Sequence, residues 1–206
     1  GNSTWAYQIA GAAALRVTTT LKTPVLGRET EAEQDIHGSQ VVFDKVSFAY
    51  DGTQALRNVS LTLSEGTVTA LVGPSGSGKS TLANSLNGLI PHFVRGRYEG
   101  SVTVGGLSAR ETPVSRMARE IGLVFQDFEA QLFSTNAGLE VAFGPGNFGV
   151  PRPEIALRIG DVLRTVNLEG FEGRHPATLS GGQKQRLAIG SVLAAHPSVL
   201  CMDEPT

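Results

Sequence analysis

The sequence has little of several features that would narrow its class at once. Its 206 residues include one cysteine, Cys201, so a disulfide framework is excluded and a reducing compartment fits. A formal net charge of −2 offers no basic footprint for nucleic acid, so we expect no nucleic-acid partner. Metal-ligand spacing is absent from the four histidines, His37, His92, His175 and His196. Within residues 5–21 the longest apolar run is Ile9 to Leu15, too short to span a bilayer and without the basic start of a signal peptide.

What the chain does contain predicts an α/β fold. With 40% hydrophobic and 17% charged residues, it can bury a sizeable core. An antiparallel β layer is predicted by two alternating strands and a short strand at 101–104; the shared faces hold Val42, Val46, Phe48 and Tyr50, and then Val59, Leu61 and Leu63. Nearly continuous apolar runs at 67–72, 121–125 and 198–202 are typical of strands buried on both faces of a parallel sheet.

The pattern also suggests how the chain is organised. Apolar positions in residues 5–21 make a rough helical stripe and a polar stretch follows, so we expect an N-terminal helical segment and linker over 1–39. The globular domain should occupy 40–206. Residues 128–178 read as a helical insert, in which Pro153 suits the first turn of a helix running to Val166. The apolar positions at helical spacing in this helix are Ile155, Ile159, Val162, Leu163 and Val166. Because the chain opens at Gly1 without an initiator Met and stops at Thr206 inside a motif, we expect a fragment, incomplete at its C-terminus.

A phosphate cradle is predicted directly after the apolar run 67–72. It reads Gly73-Pro74-Ser75-Gly76-Ser77-Gly78-Lys79-Ser80-Thr81, which is the P-loop pattern G-x-x-x-x-G-K-[ST]. The glycines keep Cβ atoms away from the phosphates, and the N-terminus of the following helix attracts the same anion. Lys79 supplies an ammonium group for the β- and γ-phosphates, and Ser80 a hydroxyl for Mg²⁺. A flexible Gly/Ser loop is the alternative, which the flanking strand and helix make unconvincing.

A second glycine-rich helix start lies further along the chain. It is formed by Ser180, Gly181, Gly182 and Gln183, and residues 199–206 then read Val-Leu-Cys-Met-Asp-Glu-Pro-Thr. With the P-loop, these motifs make residues 40–206 resemble the ATP-binding cassette (ABC) ATPases of membrane transporters. The resemblance implies a P-loop NTPase with a RecA-like parallel sheet, ATP and Mg²⁺ as cofactors, and a Ser180 signature that contacts the γ-phosphate held by a partner subunit.

Further roles follow from the resemblance. Glu204 matches the catalytic carboxylate, Asp203 the aspartate associated with Mg²⁺, and Gln126 the glutamine that touches Mg²⁺ and the attacking water. Tyr50 matches the aromatic residue that stacks on adenine, although a half-buried strand tyrosine is nearly as good an explanation from the residue alone. Open α/β sheets bind ligands beyond the carboxyl ends of their strands, so the P-loop and the acidic pair should emerge at one edge.

The resemblance also implies partners. They are a second ABC ATPase subunit, as a head-to-tail homo- or heterodimer, and transmembrane subunits or domains, which places the chain at the cytoplasmic face of the cell membrane. Residues 131–134 and 140–145 look like energy-coupling factor ATPases, which drive uptake of vitamins or metal ions, whereas residues 12–26 look like the connection to a fused transmembrane domain in exporter-type half-transporters. Because the family's coupling region lies in the helical insert, we expect an ATPase that drives uptake, with the exporter as the alternative. Two other classes stay open: a nucleotide-binding module without turnover, and a soluble ABC ATPase of DNA repair or translation.

Overall fold

The computed structural model describes residues 4–9, 13–20 and 39–203. The chain divides into two compact units, Gly1–Glu120 and Ile121–Thr206. The expected linker largely falls outside the described residues, so the domain start near residue 40 stays a prediction. None of the helices in the described ranges is long and apolar enough to cross a bilayer.

The first unit contains the predicted antiparallel layer. Strands β3 (Val41–Tyr50), β4 (Thr53–Leu63), β6 (Arg97–Val104) and β7 (Leu107–Ser108) lie in the order β4-β3-β6-β7. Its buried face carries branched and aromatic side chains, which suit a half-buried pleated surface. They are Val41, Phe43, Val46, Phe48, Leu56, Val59, Leu61, Val102 and Val104.

The face assignment within β3 needs a correction. Val42 was expected to share the buried face with Val46, but Val41 and Phe43 are buried and Val42 is only half-buried. The register shifts between Phe43 and Val46, and Lys45 adopts a left-handed conformation with φ 49°. A β-bulge of this kind adds a residue and reverses the alternation beyond it.

The N-terminal segment is not helical where the structure describes it. Strands β1 (Thr4–Ile9) and β2 (Ala13–Thr20) pair antiparallel, and β2 pairs antiparallel with β5 (Val68–Val72). The expected helical stripe was therefore wrong. Trp5 and Ile9 belonged to that stripe, but with Tyr7 they are spaced by two, the period of a strand, and the run from Val17 to Thr20 is β-branched.

Strand β5 also differs from the expectation of a parallel strand buried on both faces, because it pairs antiparallel with β2. Its residues alternate in exposure, and Val68 and Val72 are exposed. An apolar run of this length predicts a strand but carries no information about which strand will bond to it. Helices α1 (Lys79–Leu86), α2 (Leu89–His92) and α3 (Val114–Glu120) complete the described part of this unit.

The second unit holds a parallel strand pair and the predicted helices. Strand β8 (Ile121–Val124) is fully buried and pairs parallel with β9 (Val199–Met202), which confirms the parallel pairing. The expected burial on both faces holds for β8 but is wrong for β9, where Leu200 and Met202 are exposed. The helices are α4 (Ala137–Asn147), α5 (Arg152–Thr165) and α6 (Gly181–Leu193), with 3₁₀ helices at Phe128–Gln131 and Pro176–Thr178. Pro153 lies in the first turn of α5, as predicted.

The helices of this unit enclose a core of their own. The buried residues are Ala137, Val141, Val162, Leu163, Val166, Leu168, Leu179, Leu187 and Ala194. On α5 the inward positions Val162 and Leu163 follow the predicted helical spacing, while Leu157 on the same helix is 70% exposed. The periodicity of the sequence therefore identified the inner face of α5 correctly.

Gly122 offers a test of how closely β8 approaches its neighbours. A Cβ at this position would collide with Val192 Cγ1 on α6 and would lie 2.9 Å from Cγ of Pro197. We expect Gly122→Ala to lower the free energy of unfolding by ~1–3 kcal/mol through overpacking. Gly160→Ala is the control, because a Cβ there meets no described atom within 4 Å and alanine favours a helix interior by ~0.5–1 kcal/mol. Denaturant unfolding followed by far-UV circular dichroism measures the free energy of unfolding of both variants. Equal changes in that free energy would contradict the close approach of β8 to its neighbours.

Candidate functional site

The predicted P-loop forms a tight turn between β5 and α1. Gly76 and Gly78 have φ values of 79° and 87°, a left-handed conformation that favours glycine. Ser77 N–H donates to the Pro74 carbonyl at 3.2 Å and closes the turn. Gly78 is the N-cap of α1 and, within the described residues, no side chain caps this helix start. The turn therefore delivers the positive end of α1 to the glycine-rich loop.

The polar side chains of the turn fit an anionic ligand. Lys79 Nζ donates to the carbonyls of Gly73 at 3.0 Å and Pro74 at 3.1 Å, so its ammonium group folds back over the loop. Ser77 is only 2% exposed, and its Oγ is a buried side-chain atom with no hydrogen-bond partner in the part of the chain described. A buried hydroxyl without a hydrogen-bond partner destabilises the folded protein, so a ligand that bonds to it would remove that cost. Ser80 is exposed, where its hydroxyl can reach a metal ion.

Tyr50 is connected to the same helix start. Its hydroxyl lies 3.0 Å from Oγ1 of Thr81, in hydrogen-bond contact, and its ring packs edge-to-face on Phe48 with centroids 4.8 Å apart. Two contacts therefore orient the ring from one end and one edge. The structure brings Tyr50 and the first turn of α1 together, while stacking on adenine stays a prediction.

In the second unit, Gln126 and Asp203 follow the carboxyl ends of the two parallel strands. Val124 pairs with Met202, and Asp203 N–H donates to the Val124 carbonyl at 2.9 Å, which extends the ladder by one residue. Gln126 is exposed two residues beyond β8. The two predicted metal-associated residues of this unit thus leave the sheet at one edge. Glu204 lies outside the described residues, so its catalytic role stays a prediction.

Cys201 precedes this edge on β9. Burial, followed by the negative charge of Asp203, raises the pKa of its thiol to about 11. The thiol therefore stays protonated at neutral pH and is a poor nucleophile. Among the described residues, no group of three or more His, Cys, Asp or Glu side chains is arranged to hold a metal ion. The predicted Mg²⁺ ligands Ser80, Gln126 and Asp203 are divided between the two units, and their joint site stays a prediction.

The signature residues form the start of α6. Ser180 is the N-cap, and a capping box joins it to Gln183: Gln183 N–H donates to Ser180 Oγ at 3.4 Å, and Ser180 N–H donates to Gln183 Oε1 at 2.9 Å. Both Gly181 and Gly182 are exposed, and a Cβ on either would have no described atom within 4 Å outside its own turn. Packing within this unit therefore does not require glycine here, and the helix start is left open to an external group.

Sequence reasoning missed an apolar groove in the second unit. It is lined by Phe133, Ser134, Thr135, Leu139, Ala142, Phe143, Gly146 and Asn147. Phe133 and Phe143 are 61% and 50% exposed and pack edge-to-face, with ring centroids 4.6 Å apart. Glu140 is buried at 3% exposure, and its Oε2 accepts from Phe133 N–H at 3.1 Å and Ser134 N–H at 2.8 Å. The spacing of Leu139 and Phe143, one helical turn apart and turned outward, was the available signal.

A strand, a glycine-rich turn with a lysine and serine at its end, and a helix start with no side-chain cap define a P-loop nucleotide-binding domain. The ABC transporter family profile matches residues 56–206, well over half of the chain. The chain therefore belongs to the ABC transporter family, in which ATP binding and ATPase activity are implied.

Relatives and a solved structure agree with this assignment. An ABC transporter ATP-binding protein of Caldanaerobacter subterraneus subsp. tengcongensis is 61% identical over 170 residues, covering 81% of this chain and 30% of the relative. One from Pyrococcus abyssi is 48% identical over 165 residues, covering 79% of this chain and 59% of the relative. The chain thus spans less than two thirds of either relative.

The solved structure is cbiO1 from Clostridium perfringens, described as part of the ABC transporter complex cbiONQ. It matches with a TM-score of 0.71 and 34% identity, over 81% of this chain and 65% of that chain. The ABC ATPase fold and the resemblance to energy-coupling factor ATPases are confirmed.

The Tyr50 contacts yield a test that separates the hydroxyl from the ring. Tyr50→Phe removes the hydrogen bond to Thr81 and keeps the aromatic face, so ATP affinity should change by less than about threefold. Tyr50→Ala removes the face and should weaken ATP binding by roughly 1–3 kcal/mol, the range for base–aromatic stacking. Titration calorimetry measures both. Inorganic triphosphate, which lacks a base, is the control ligand, and an equal loss of its affinity in Tyr50→Ala would return Tyr50 to a purely structural role.

Proposed function

We propose that this chain is the ATP-binding and ATP-hydrolysing domain of an ABC transporter and couples ATP hydrolysis to uptake of a vitamin or metal ion across a membrane. The observation that carries the proposal is the P-loop turn, in which the buried Ser77 hydroxyl has no described partner beside the folded-back Lys79 ammonium. Phosphate oxygens could supply the acceptor that the Ser77 hydroxyl lacks, and their negative charge suits the Lys79 ammonium, which here donates to the loop carbonyls.

The residues of the site have separate tasks in this mechanism. MgATP supplies the γ-phosphoryl group that is transferred to water. The backbone of residues 73–81 and the start of α1 hold the phosphates, and Lys79 offsets their charge. Ser80 and Asp203 would ligate Mg²⁺, with Gln126 beside them. Glu204 would accept a proton from the attacking water and orient it.

Two copies are needed to complete each site. The open start of α6, with its exposed Gly181 and Gly182, supports docking of the signature against the γ-phosphate bound by a second ABC subunit. A two-fold, head-to-tail pair lets each subunit contribute the same two surfaces, its P-loop and its signature helix. ATP would then hold the homo- or heterodimer together.

The apolar groove supports a membrane-embedded partner. Exposed aromatic side chains at Phe133 and Phe143 pack on each other, and the buried Glu140 accepts from the backbone N–H of Phe133; such a surface is typical of one that receives an apolar anchor. The similar protein cbiO1 is described as part of a transporter complex. We propose that transmembrane subunits or domains dock in this groove, which places the chain at the cytoplasmic face of the membrane.

Two variants of the full-length protein test the composite site. Glu204→Gln keeps the size of the side chain and its ability to hydrogen bond but cannot take a proton, so ATP binding should survive while phosphate release stops. This variant should accumulate as an ATP-bound dimer in light scattering. Ser180→Arg should block the signature face by bulk and remain a monomer that still binds ATP.

Lys79→Ala is the matched control, because it should abolish productive MgATP binding and leave neither dimer nor turnover. A Glu204→Gln protein that hydrolyses ATP at the parental rate contradicts the catalytic assignment. A Ser180→Arg protein that dimerises and turns over normally contradicts the head-to-tail pair. Unchanged MgATP affinity in folded Lys79→Ala would refute the P-loop assignment itself.

The groove gives a separate prediction. Phe143→Ser should reduce the fraction of the protein recovered with membranes from cells that also express its transmembrane partner, because the docking surface loses an exposed aromatic side chain that the partner would cover. ATP affinity should be unchanged. Leu157→Ser is the control, since Leu157 is equally apolar and 70% exposed but lies on α5 outside the groove lining. Equal membrane recovery of both variants would argue against docking in the groove.

A further inference from the structure

The backbone N–H and carbonyl groups on the two edges of strand β8 have different hydrogen-bond partners. On the edge facing β9, the Val124 carbonyl accepts from Asp203 N–H. Peptide groups along a strand alternate in direction, so the Leu123 carbonyl and Phe125 N–H point to the opposite edge. Among the described residues, the Gln131 side chain bonds to both of these groups.

The Gln131 carboxamide takes the place of a neighbouring strand. Its Oε1 accepts from Phe125 N–H at 2.9 Å, and its Nε2 donates to the Leu123 carbonyl at 3.2 Å. An amide carries a donor and an acceptor side by side, as a peptide group does, so it can bond to both ends of this short stretch at once. The two bonds close a loop of chain that begins at Phe125 and contains Gln126.

The far side of this loop is also anchored. The 3₁₀ helix Phe128–Gln131 is capped by Asp127, whose Oδ1 accepts from Ala130 N–H at 3.3 Å. Glu129 Oε2 pairs with Lys184 Nζ at 2.8 Å, and Lys184 lies on α6 one residue beyond the signature. A partly exposed ion pair of this kind contributes little to stability. Its geometric effect is to hold the segment that contains Gln131 against the signature helix.

We propose that Gln131 is a positioning residue for ATP hydrolysis: its carboxamide fixes the end of β8 so that Gln126 leaves the strand in one direction. The role rests on the proposed function, because Gln126 is expected beside Mg²⁺ and the attacking water. Gln131 itself touches neither. A reacting group displaced by even ~1 Å can cost a large factor in rate, whereas nucleotide binding depends mainly on the P-loop.

Gln131→Leu in the full-length protein tests the proposal, since leucine has a similar volume and no hydrogen-bonding group. We expect kcat for ATP hydrolysis to fall by about tenfold or more, while KM and the MgATP dissociation constant stay within about threefold. Gln131→Glu keeps the acceptor for Phe125 N–H and loses the donor to the Leu123 carbonyl. Its kcat should therefore lie between that of the parent protein and that of Gln131→Leu. Thr165→Val is the control, because it removes an exposed side-chain-to-backbone hydrogen bond on α5.

Hydrogen exchange supplies a readout that does not depend on turnover. Loss of the Gln131 acceptor should speed exchange of the Phe125 amide in Gln131→Leu and leave it unchanged in Thr165→Val. Unchanged exchange at Phe125 overturns the positioning role. So does a parental kcat in Gln131→Leu, or a kcat loss that tracks an equal loss of ATP affinity or of folded protein. The parent protein is measured first. If it binds MgATP but releases no phosphate, the proposed ATP hydrolysis is refuted, and this result is independent of any Gln131 variant.

Discussion

The structure depends on what happens to the unpaired N–H groups at the start of a helix. The first turn of every α-helix leaves such groups without an intrahelical acceptor, and they must find one elsewhere. At α1 the cap is Gly78, which has no side chain to offer, so the turn can use a phosphate as its acceptor. At α6 the capping box of Ser180 and Gln183 satisfies part of the need from within. The two glycine-rich helix starts therefore differ. The start of α1 has N–H groups that an anion can accept from, whereas the start of α6 is already capped by its own side chains.

A similar division governs the second unit, where side chains complete backbone hydrogen bonding that no strand supplies. Gln131 bonds to the end of β8, Glu140 accepts from the two N–H groups that follow Leu132, and Asn136 caps α4 by accepting from Leu139 N–H at 2.8 Å. Buried or half-buried backbone groups need such partners. Gln131 bonds to the strand end that precedes Gln126, and Glu140 bonds to the backbone of Phe133. The scaffold for the site is thus built from amides and a carboxylate as much as from apolar packing.

Sequence reasoning succeeded where the chemistry is local. The P-loop turn, the capped start of α6 and the position of Asp203 after a parallel strand are read from contiguous residues, because a turn, a cap or a strand end is specified within a few positions. The helix at α5 followed from its period, and the family assignment followed from three ordered motifs. Reasoning failed at the N-terminal segment, where alanines and glycine blurred the period and the alternation of Trp5, Tyr7 and Ile9 was overlooked. It also missed the bulge at Lys45, since nothing in an alternating pattern marks an inserted residue in advance.

By itself the sequence determined where the glycine-rich turn and the capped helix start lie and that α5 has an apolar face, because these features are encoded in composition and short-range spacing. Only the tertiary structure decided which strand bonds to β5, that the carboxamide of Gln131 occupies the edge of β8, and that Glu129 reaches Lys184 across 55 positions of sequence. Those contacts join segments far apart in the chain, and their formation depends on loop closure and on competition among all possible partners. No local pattern records the outcome of that competition, so the partners are known only once the chain is folded.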